Sequence, residues 1–303
     1  MSICIATYQR PEPLTRLLCA LHQLEFDGEP PLIDIVVVDN DPAASARDAC
    51  RSVRMEHRCR WPIAYLTEER RGISYARNAA MAHAAADADF LAFLDDDETP
   101  SPRWLAELLH TQERYRADVV GGPVVPRFEQ EPPEWVVKGR FFERRRRSTG
   151  AFIDRAATNN ALVRAAINHA DDFWFDERYA LTGGEDTHFF RRLYLAGKRM
   201  VWCDEAVVED WIPPQRVTEK WIIRRQYRIG TIEAAIRLEL EPDATSSTWV
   251  IGVGRRCFHL LLLLVLFWNK PQQVQQRRLM AYGKGLLHGL RGMRNEDYRD
   301  GSA

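Results

Sequence analysis

The run Phe90-Leu91-Ala92-Phe93-Leu94 ends abruptly in Asp95-Asp96-Asp97-Glu98, and a buried strand has no packing use for such an ending. Crowded carboxylates repel one another and resist desolvation, so they either titrate or meet a cation. Oxygen donors of this kind suit a hard divalent ion, Mn2+ or Mg2+, held jointly with the phosphates of a substrate. Thr99 to Leu105 reads as a loop and then a helix start, with proline near the first turn. The acids therefore fall at the carboxyl end of a strand, where open α/β sheets bind ligands. Taken alone, an acidic triplet reads equally well as a solvated turn, so the rest of the chain decides.

Short β-branched runs alternate with helical patterns over the first 120 residues, the signature of βαβ units on a parallel sheet. Strands are predicted near 2–6, 32–38, 62–66, 89–94 and 118–121, and helices near 12–25, 43–57, 73–86 and 102–115. Ile33 to Val38 is almost continuously apolar, as a strand covered on both faces should be. From Pro123 to about Gly150 the periodicity disappears into Pro, Trp and Arg144-Arg145-Arg146-Arg147, which reads as a mobile or ligand-ordered loop. Beyond it, a strand is predicted at Asn159–Val163, a helix from Glu185 to Ala196, a strand from Arg199 to Val208, and one long amphipathic helix over 216–240.

A chain of 303 residues is long enough for a proper core. The division expected is a catalytic domain over 1–215 and a basic, helical, membrane-associating region over 216–303. The formal net charge of -1 gives no reason to expect a nucleic-acid partner, yet it conceals an asymmetry. Trp211 to Ala303 carries 15 Lys and Arg against 8 Asp and Glu, and the first 210 residues carry 27 against 35. An acidic part would hold a cation, and a basic tail faces something anionic. Six cysteines, at 4, 19, 50, 59, 203 and 257, form no metal-binding spacing and read as small buried hydrophobes of a reducing compartment. The first strand starts at Ser2 with no signal peptide ahead of it, so a cytoplasmic chain is expected.

Cys257 to Trp268 is apolar except for His259. Twelve helical residues span about 18 Å, short of the roughly 30 Å of a bilayer's hydrocarbon core. The stretch reads as an interfacial or re-entrant helix, with Trp249, Trp268 and flanking arginines at headgroup level, or else as a buried core helix of the C-terminal region, and the basic tail around it favours membrane contact. Arg277, Arg278, Lys284, Arg291 and Arg294 extend that basic surface.

Four further segments can converge on the acidic triplet. Thr7, Tyr8 and Arg10, after the first strand, offer a hydroxyl, a ring and a cation to a base and ribose. Asp39, ending the second strand, suits a base imide or a ribose hydroxyl. Arg71-Gly72-Ile73 opens a helix whose first turns carry Arg77, a partner for diphosphate oxygens. Gly183-Gly184-Glu185-Asp186 places two acids in the first turn of a helix, where the dipole favours them and where a carboxylate can take a proton from a hydroxyl.

With those residues in view, the chain resembles the inverting glycosyltransferases of family 2, which have the GT-A fold. The likeness runs from Ser2 to about Gly230 through SICIATYQRP, VVVDND, RRGISYARNAA, FLAFLDDDETPSPRWL, TNNALVRA, FDERYALTGGEDTHFFRRL and VVEDWIPPQRVTEKW. It is nearest in character to bacterial exopolysaccharide enzymes of the succinoglycan type. The resemblance implies an α/β fold with a Rossmann-like, mostly parallel nucleotide-binding sheet. It implies a UDP-sugar donor, by default UDP-glucose, and a polyprenyl-diphosphate-linked saccharide acceptor at the cytoplasmic face of the bacterial inner membrane. Carried over by residue, it implies that Thr7 and Asp39 bind uridine and Arg77 the diphosphate. Asp95, Asp96 and Asp97 become the DxD element, with Asp97 the direct metal ligand. Asp186 becomes the general base, with Glu185 positioning sugar or acceptor. Two departures stand out. His188 occupies a place where many relatives carry another acid, and Glu209 and Asp210 stand where many GT-A enzymes have a metal-binding histidine, which makes Asp210 a further metal candidate.

A P-loop kinase is excluded by the missing GxxxxGK[ST], and a nucleotidylyltransferase by the missing Gly-rich N-terminal loop. The remaining rival is an inactive, membrane-bound scaffold that keeps the fold without turnover. The intact acidic triplet and Gly-Gly-Glu-Asp argue against it.

Overall fold

In a computed structural model the protein is described at residues 1–56, 60–84, 88–169, 172–266 and 268–293. Cys59 and Arg294 lie outside those residues. The chain divides into two compact units, one of Met1–Val125, Arg144–Leu181 and Glu185–Asp210, the other of Pro126–Glu143, Thr182–Gly184 and Trp211–Ala303.

In the first unit β1 (Ser2–Thr7), β2 (Asp34–Asp39), β3 (Ile63–Thr67) and β4 (Phe90–Asp95) alternate with α1 (Pro11–Leu21), α2 (Arg47–Glu56) and α3 (Ile73–His83). After β4 come β5 (Glu98–Pro100), α4 (Trp104–Tyr115), β6 (Val119–Gly121) and β7 (Val124–Phe128). The chain then passes through α5 (Glu134–Gly139), which belongs to the other unit, and continues with β8 (Ala161–Arg164), the single turn α6 (Ala166–His169), α7 (Glu185–Leu195), β9 (Met200–Trp202) and β10 (Val208–Ile212). The main sheet has the order β3-β2-β1-β4-β8-β6-β9, and a smaller one the order β5-β10-β7. β8 runs antiparallel to both β4 and β6, and the other pairings of the main sheet are parallel.

Alternation along the strands explains why this sheet is covered on both sides. Ile3, Ile5, Ile35, Val37, Ala92 and Leu94 enter one apolar cluster, while Cys4, Val36, Val38, Leu91 and Phe93 enter another, as a side-chain period of two requires. The register then sets the site. Thr7 pairs with Asp39 and Ala6 with Asp95, so the polar ends of β1, β2 and β4 form one row. β1 lies between β2 and β4, and its two neighbours leave the crevice in which α/β sheets bind ligands.

The sequence expectations need correcting in four places. Pro123–Gly150 is no featureless loop, since it contains β7 and α5; elements of five and six residues are too short to show a period. Thr99 and Pro100 belong to β5 rather than to a loop. Arg199–Val208 is not one strand: β9 ends at Trp202, and β10 begins at Val208 in the other sheet. The cysteines divide, with Cys4, Cys50 and Cys203 buried but Cys257 exposed.

The second unit contains α5, α8 (Glu219–Leu240), α9 (Thr245–Val265) and α10 (Lys270–Gly289). α9 starts twelve residues earlier than its apolar stretch. Asn269 caps α10 through the Gln272 amide at 3.1 Å. Helices α8 and α10 approach closely at glycine: a Cβ on Gly230 would meet the Tyr282 carbonyl at 2.3 Å, and one on Gly285 the Tyr227 carbonyl at 2.2 Å. Val136, Phe141, Phe142, Ile212, Ile222 and Val274 form a separate apolar core. Among the described residues no helix is long and apolar enough to cross a membrane.

Candidate active site

Gly72 sets the geometry of one side. Its φ of 143° lies outside the range of ordinary side chains, and a Cβ there would meet Ala180 at 2.5 Å. Its amide donates to Asn40 Oδ1 at 2.7 Å, and Asn40 Nδ2 donates to the carbonyls of Glu68 and Arg70 at 2.9 and 2.8 Å. This ties the end of β2 to the start of α3, which carries Arg77.

Arg77 is buried and joins two acidic segments, at Asp95 and Glu185, that lie 90 residues apart in the chain. Its Nη2 donates to Asp95 Oδ1 at 2.8 Å, and its Nη1 donates to Glu185 Oε1 at the start of α7. On the other side of the triplet, Arg10 Nη1 donates to Asp96 Oδ1 at 3.2 Å and to Asp97 Oδ2 at 3.1 Å. The Thr7 hydroxyl donates to Asp96 Oδ2 at 2.7 Å. Asp210 in β10 pairs with Glu98 in β5, and Arg144 Nη2 lies 4.0 Å from the Asp210 carboxylate.

The concentration of acid is visible in the titration of these groups. Burial first, and the nearby acids Asp97 and Asp95 next, push Asp96 up to about 6 against the pull of Arg10 and Thr7. Asp95 is raised by loss of water around it, with Arg77 opposing and Asp97 and Asp186 adding to the rise. Glu98 is driven well above the usual carboxylate range by burial, then by Asp95, Asp210 and Asp97; it accepts the Asp95 amide at 2.9 Å. Glu185 rises to about 7, from burial before all else, with Arg77 opposing and Asp186 reinforcing. Asp186 is thus close enough to Asp95 and Glu185 to shift both. The Thr187 amide and hydroxyl donate to Asp186 Oδ1 at 2.6 and 3.2 Å, so both of these bonds use the same oxygen.

Most of the expected site residues therefore converge: Thr7, Arg10, Asp95, Asp96 and Asp97 around the triplet, then Arg77, Glu185 and Asp186, with Asp210 on the strand beside Glu98. Asp39 is turned inward. It is fully buried, and its carboxylate accepts from the amides of Asp41 and Ala46 at 3.0 and 2.8 Å and from the Tyr65 hydroxyl at 2.9 Å. His188 is buried and stacks on Tyr179 with ring centres 4.9 Å apart. Sequence reasoning missed Arg71, whose guanidinium carbon lies 3.2 Å from the centre of the Tyr8 ring, a cation–π contact. Its signal was its place beside Gly72. Glu98 was missed as well, because a fourth acid after three looks like more of the same turn.

The family model for "Glycosyl transferase family 2" matches residues 2–171. The chain belongs to glycosyltransferase family 2. Over 296 residues this family 2 glycosyltransferase is 33% identical to the "Succinoglycan biosynthesis protein ExoM" of Rhizobium meliloti, covering 97% of this chain and 94% of that protein. It is 36% identical over 201 residues to the "Glucosyl-dolichyl phosphate glucuronosyltransferase" of Haloferax volcanii, a match covering 66% of this chain and 59% of that one. The fold is shared with the mannosyltransferase PcManGT from Pyrobaculum calidifontis, solved in complex with GDP-Man and Mn2+, at a TM-score of 0.62, 16% identity, and coverage of 94% and 86%. It is also shared with S. aureus TarS 1–349 in complex with UDP, at a TM-score of 0.55, 16% identity, and coverage of 96% and 91%. The enzyme is a GT-A glycosyltransferase.

Proposed function

We propose that this enzyme transfers a hexose from a UDP-sugar, by default UDP-glucose, to a hydroxyl of a polyprenyl-diphosphate-linked saccharide, with inversion, in bacterial exopolysaccharide synthesis. One observation carries the reading: Arg77 holds Asp95 of the acidic triplet and Glu185 of the α7 start on a single guanidinium, so donor and acceptor chemistry share one place. The succinoglycan relative supports the exopolysaccharide setting, and the glucosyl-dolichyl phosphate relative supports a lipid-linked acceptor.

The donor set consists of oxygen atoms from crowded acids, with Arg10, Arg77 and Arg144 among their partners, and it fits a hard divalent cation, Mn2+ or Mg2+. Asp97 and Asp95, with Asp210, would hold that ion, which when bound would supply Lewis-acid neutralisation of the departing diphosphate. Thr7, Tyr8 and Arg71 would receive the base and ribose, with Asp39 fixing the turn behind them. Arg77 and Arg10 would orient the diphosphate through charge-assisted hydrogen bonds. The acceptor oxygen would attack the anomeric carbon opposite the bond to UDP, that bond's electron pair would leave with UDP, and the hydroxyl proton would pass to Asp186. Glu185 would position the sugar or acceptor from beside it.

The basic tail supports docking on anionic lipid at the cytoplasmic face of the inner membrane, with Arg224, Arg225 and Arg228 on α8 meeting the acceptor's diphosphate. UDP release from UDP-sugars with Mn2+ tests the catalytic reading. Asp97→Ala and Asp186→Asn are each expected to lower turnover by a factor on the order of 100 or more. Turnover that survives both changes would overturn the assignment, and wild-type protein that releases no UDP from any donor would favour a scaffold.

A further inference from the structure

Arg10 is poised to do more than contact a nucleotide. Gln9 ahead of it has a left-handed φ of 52°, and the turn brings Arg10 over the acidic triplet. One nitrogen, Nη1, spans Asp96 Oδ1 at 3.2 Å and Asp97 Oδ2 at 3.1 Å. Asp97 is also one of the carboxylates that would hold a divalent ion, so Arg10 and the ion would draw on the same side chain. The two ends of the contact are unequal: the Arg10 side chain is 34% exposed, while those of Asp96 and Asp97 are 6% and 16% exposed. The acids are anchored, with Thr7 holding the second oxygen of Asp96. The arginine has solvent to swing into.

We infer that Arg10 couples metal and nucleotide binding, holding Asp97 beside Asp96 as a stand-in cation and yielding Asp97 when a diphosphate gives its guanidinium another anion. The inference rests on the reading of the triplet as a metal site. An ion arriving alone must compete with Arg10 for Asp97 and cost the guanidinium that contact. When UDP is present, the displaced guanidinium gains phosphate oxygens, to which its planar fork is suited. The ion's affinity is therefore low without the nucleotide and high with it, and linkage requires the ion to strengthen UDP binding by the same factor.

The experiment is a Mn2+ titration of the full chain, followed by the paramagnetic resonance of unbound Mn2+, with and without UDP and without any sugar donor. In Arg10→Ala the competitor is gone, so Mn2+ alone should bind about tenfold more tightly than to the wild type, and the gain on adding UDP should shrink by about the same factor, within the usual span of coupling between two sites. Arg10→Gln, of similar length and uncharged, should behave in the same way and serves if the alanine variant fails to fold. Mn2+ binding that is no tighter in both variants, with the UDP gain intact, overturns the coupling while leaving the metal site standing. Wild type and variants that all bind no Mn2+ even with UDP overturn the metal site, and the coupling with it.

Discussion

Glu185 shows how one residue can record the electrostatic character of the whole site. Only one of its oxygens is occupied, by Arg77; Oε2 is buried with no hydrogen-bond partner. Its carboxyl is raised to about 7, burial being the first cause. A group whose folded pKa exceeds its unfolded one contributes stability that is complete below the unfolded value of about 4.5 and is lost as pH rises through the folded value. The metal-free, nucleotide-free protein should therefore lose stability between pH 5 and pH 8. Glu185→Gln keeps a carbonyl acceptor for Arg77 and removes the titration. Urea denaturation should find it more stable than the wild type at pH 8, by on the order of 2 kcal/mol, with the difference closing at pH 5. Parallel pH profiles for the two proteins would refute this account. At this scale the sequence was most legible where chemistry is unusual. Three acids after an apolar run, or a Glu-Asp after two glycines, have few uses other than a site. It was least legible where a common residue acquires its role from a distant partner. Arg71 meets Tyr8, and Asp39 spends its oxygens on Tyr65 and two amides, facts that only the register of β1, β2 and β3 creates.

Among the elements, β8 contributes through the residue that precedes it. Asn160 is buried and makes three side-chain hydrogen bonds, accepting from Trp104 Nε1 at 2.8 Å and donating to the carbonyls of Pro123 and Ala206 at 3.0 and 2.7 Å. It thereby fixes the start of α4 and the chain just before β7 and β10, and β10 carries Asp210. Asn160→Ala would strand two buried polar partners, Trp104 Nε1 and the Ala206 carbonyl, at about 1–3 kcal/mol each, while the Pro123 carbonyl keeps the Val208 amide. The expected result is a loss of at least about 2 kcal/mol in chemical denaturation. A variant within about 0.5 kcal/mol of the wild type would show that water satisfies these groups and that Asn160 is not the anchor. The same example explains which elements could be read in advance. β1 to β4 and their helices were legible within a few residues, because strands covered on both faces are continuously apolar and their connecting helices are amphipathic. β5, β7, β9 and β10 were not. They are three to five residues long, and what makes β10 a strand is β5, more than 100 residues earlier in the chain.

For the molecule as a whole, the decisive feature is a helix whose solvent face is apolar. α9 packs on α10 through Gly252, which faces the Gly283 carbonyl, and through His259, whose Nδ1 lies 2.6 Å from Gln276 Oε1. Its opposite side exposes Val250, Phe258, Leu261 and Val265, spaced three, four or eight residues apart on one stripe, and Trp249 and Trp268 are exposed near the two ends. Scattered apolar residues on a surface need no explanation, but a continuous stripe does. With Arg256 exposed on the same helix and a tail that carries 15 basic residues against 8 acidic ones, the arrangement suits a helix lying in the plane of an anionic bilayer, aromatic rings at headgroup depth and cations toward phosphate. The full chain should therefore float with vesicles containing anionic lipid at low salt and less well with neutral vesicles. Raising salt should weaken the attraction of the basic surface without abolishing it, because screening acts on charge and leaves apolar insertion in place. Leu261→Glu together with Phe258→Glu should leave the protein at the bottom of the gradient, since burying a charge in place of either side chain costs several kcal/mol. The exposed position of both residues on α9 makes the folded unit indifferent to the change, which an unaltered melting temperature would verify. Wild-type protein that stays down with anionic vesicles at low salt would assign the stripe to contact between protein chains instead.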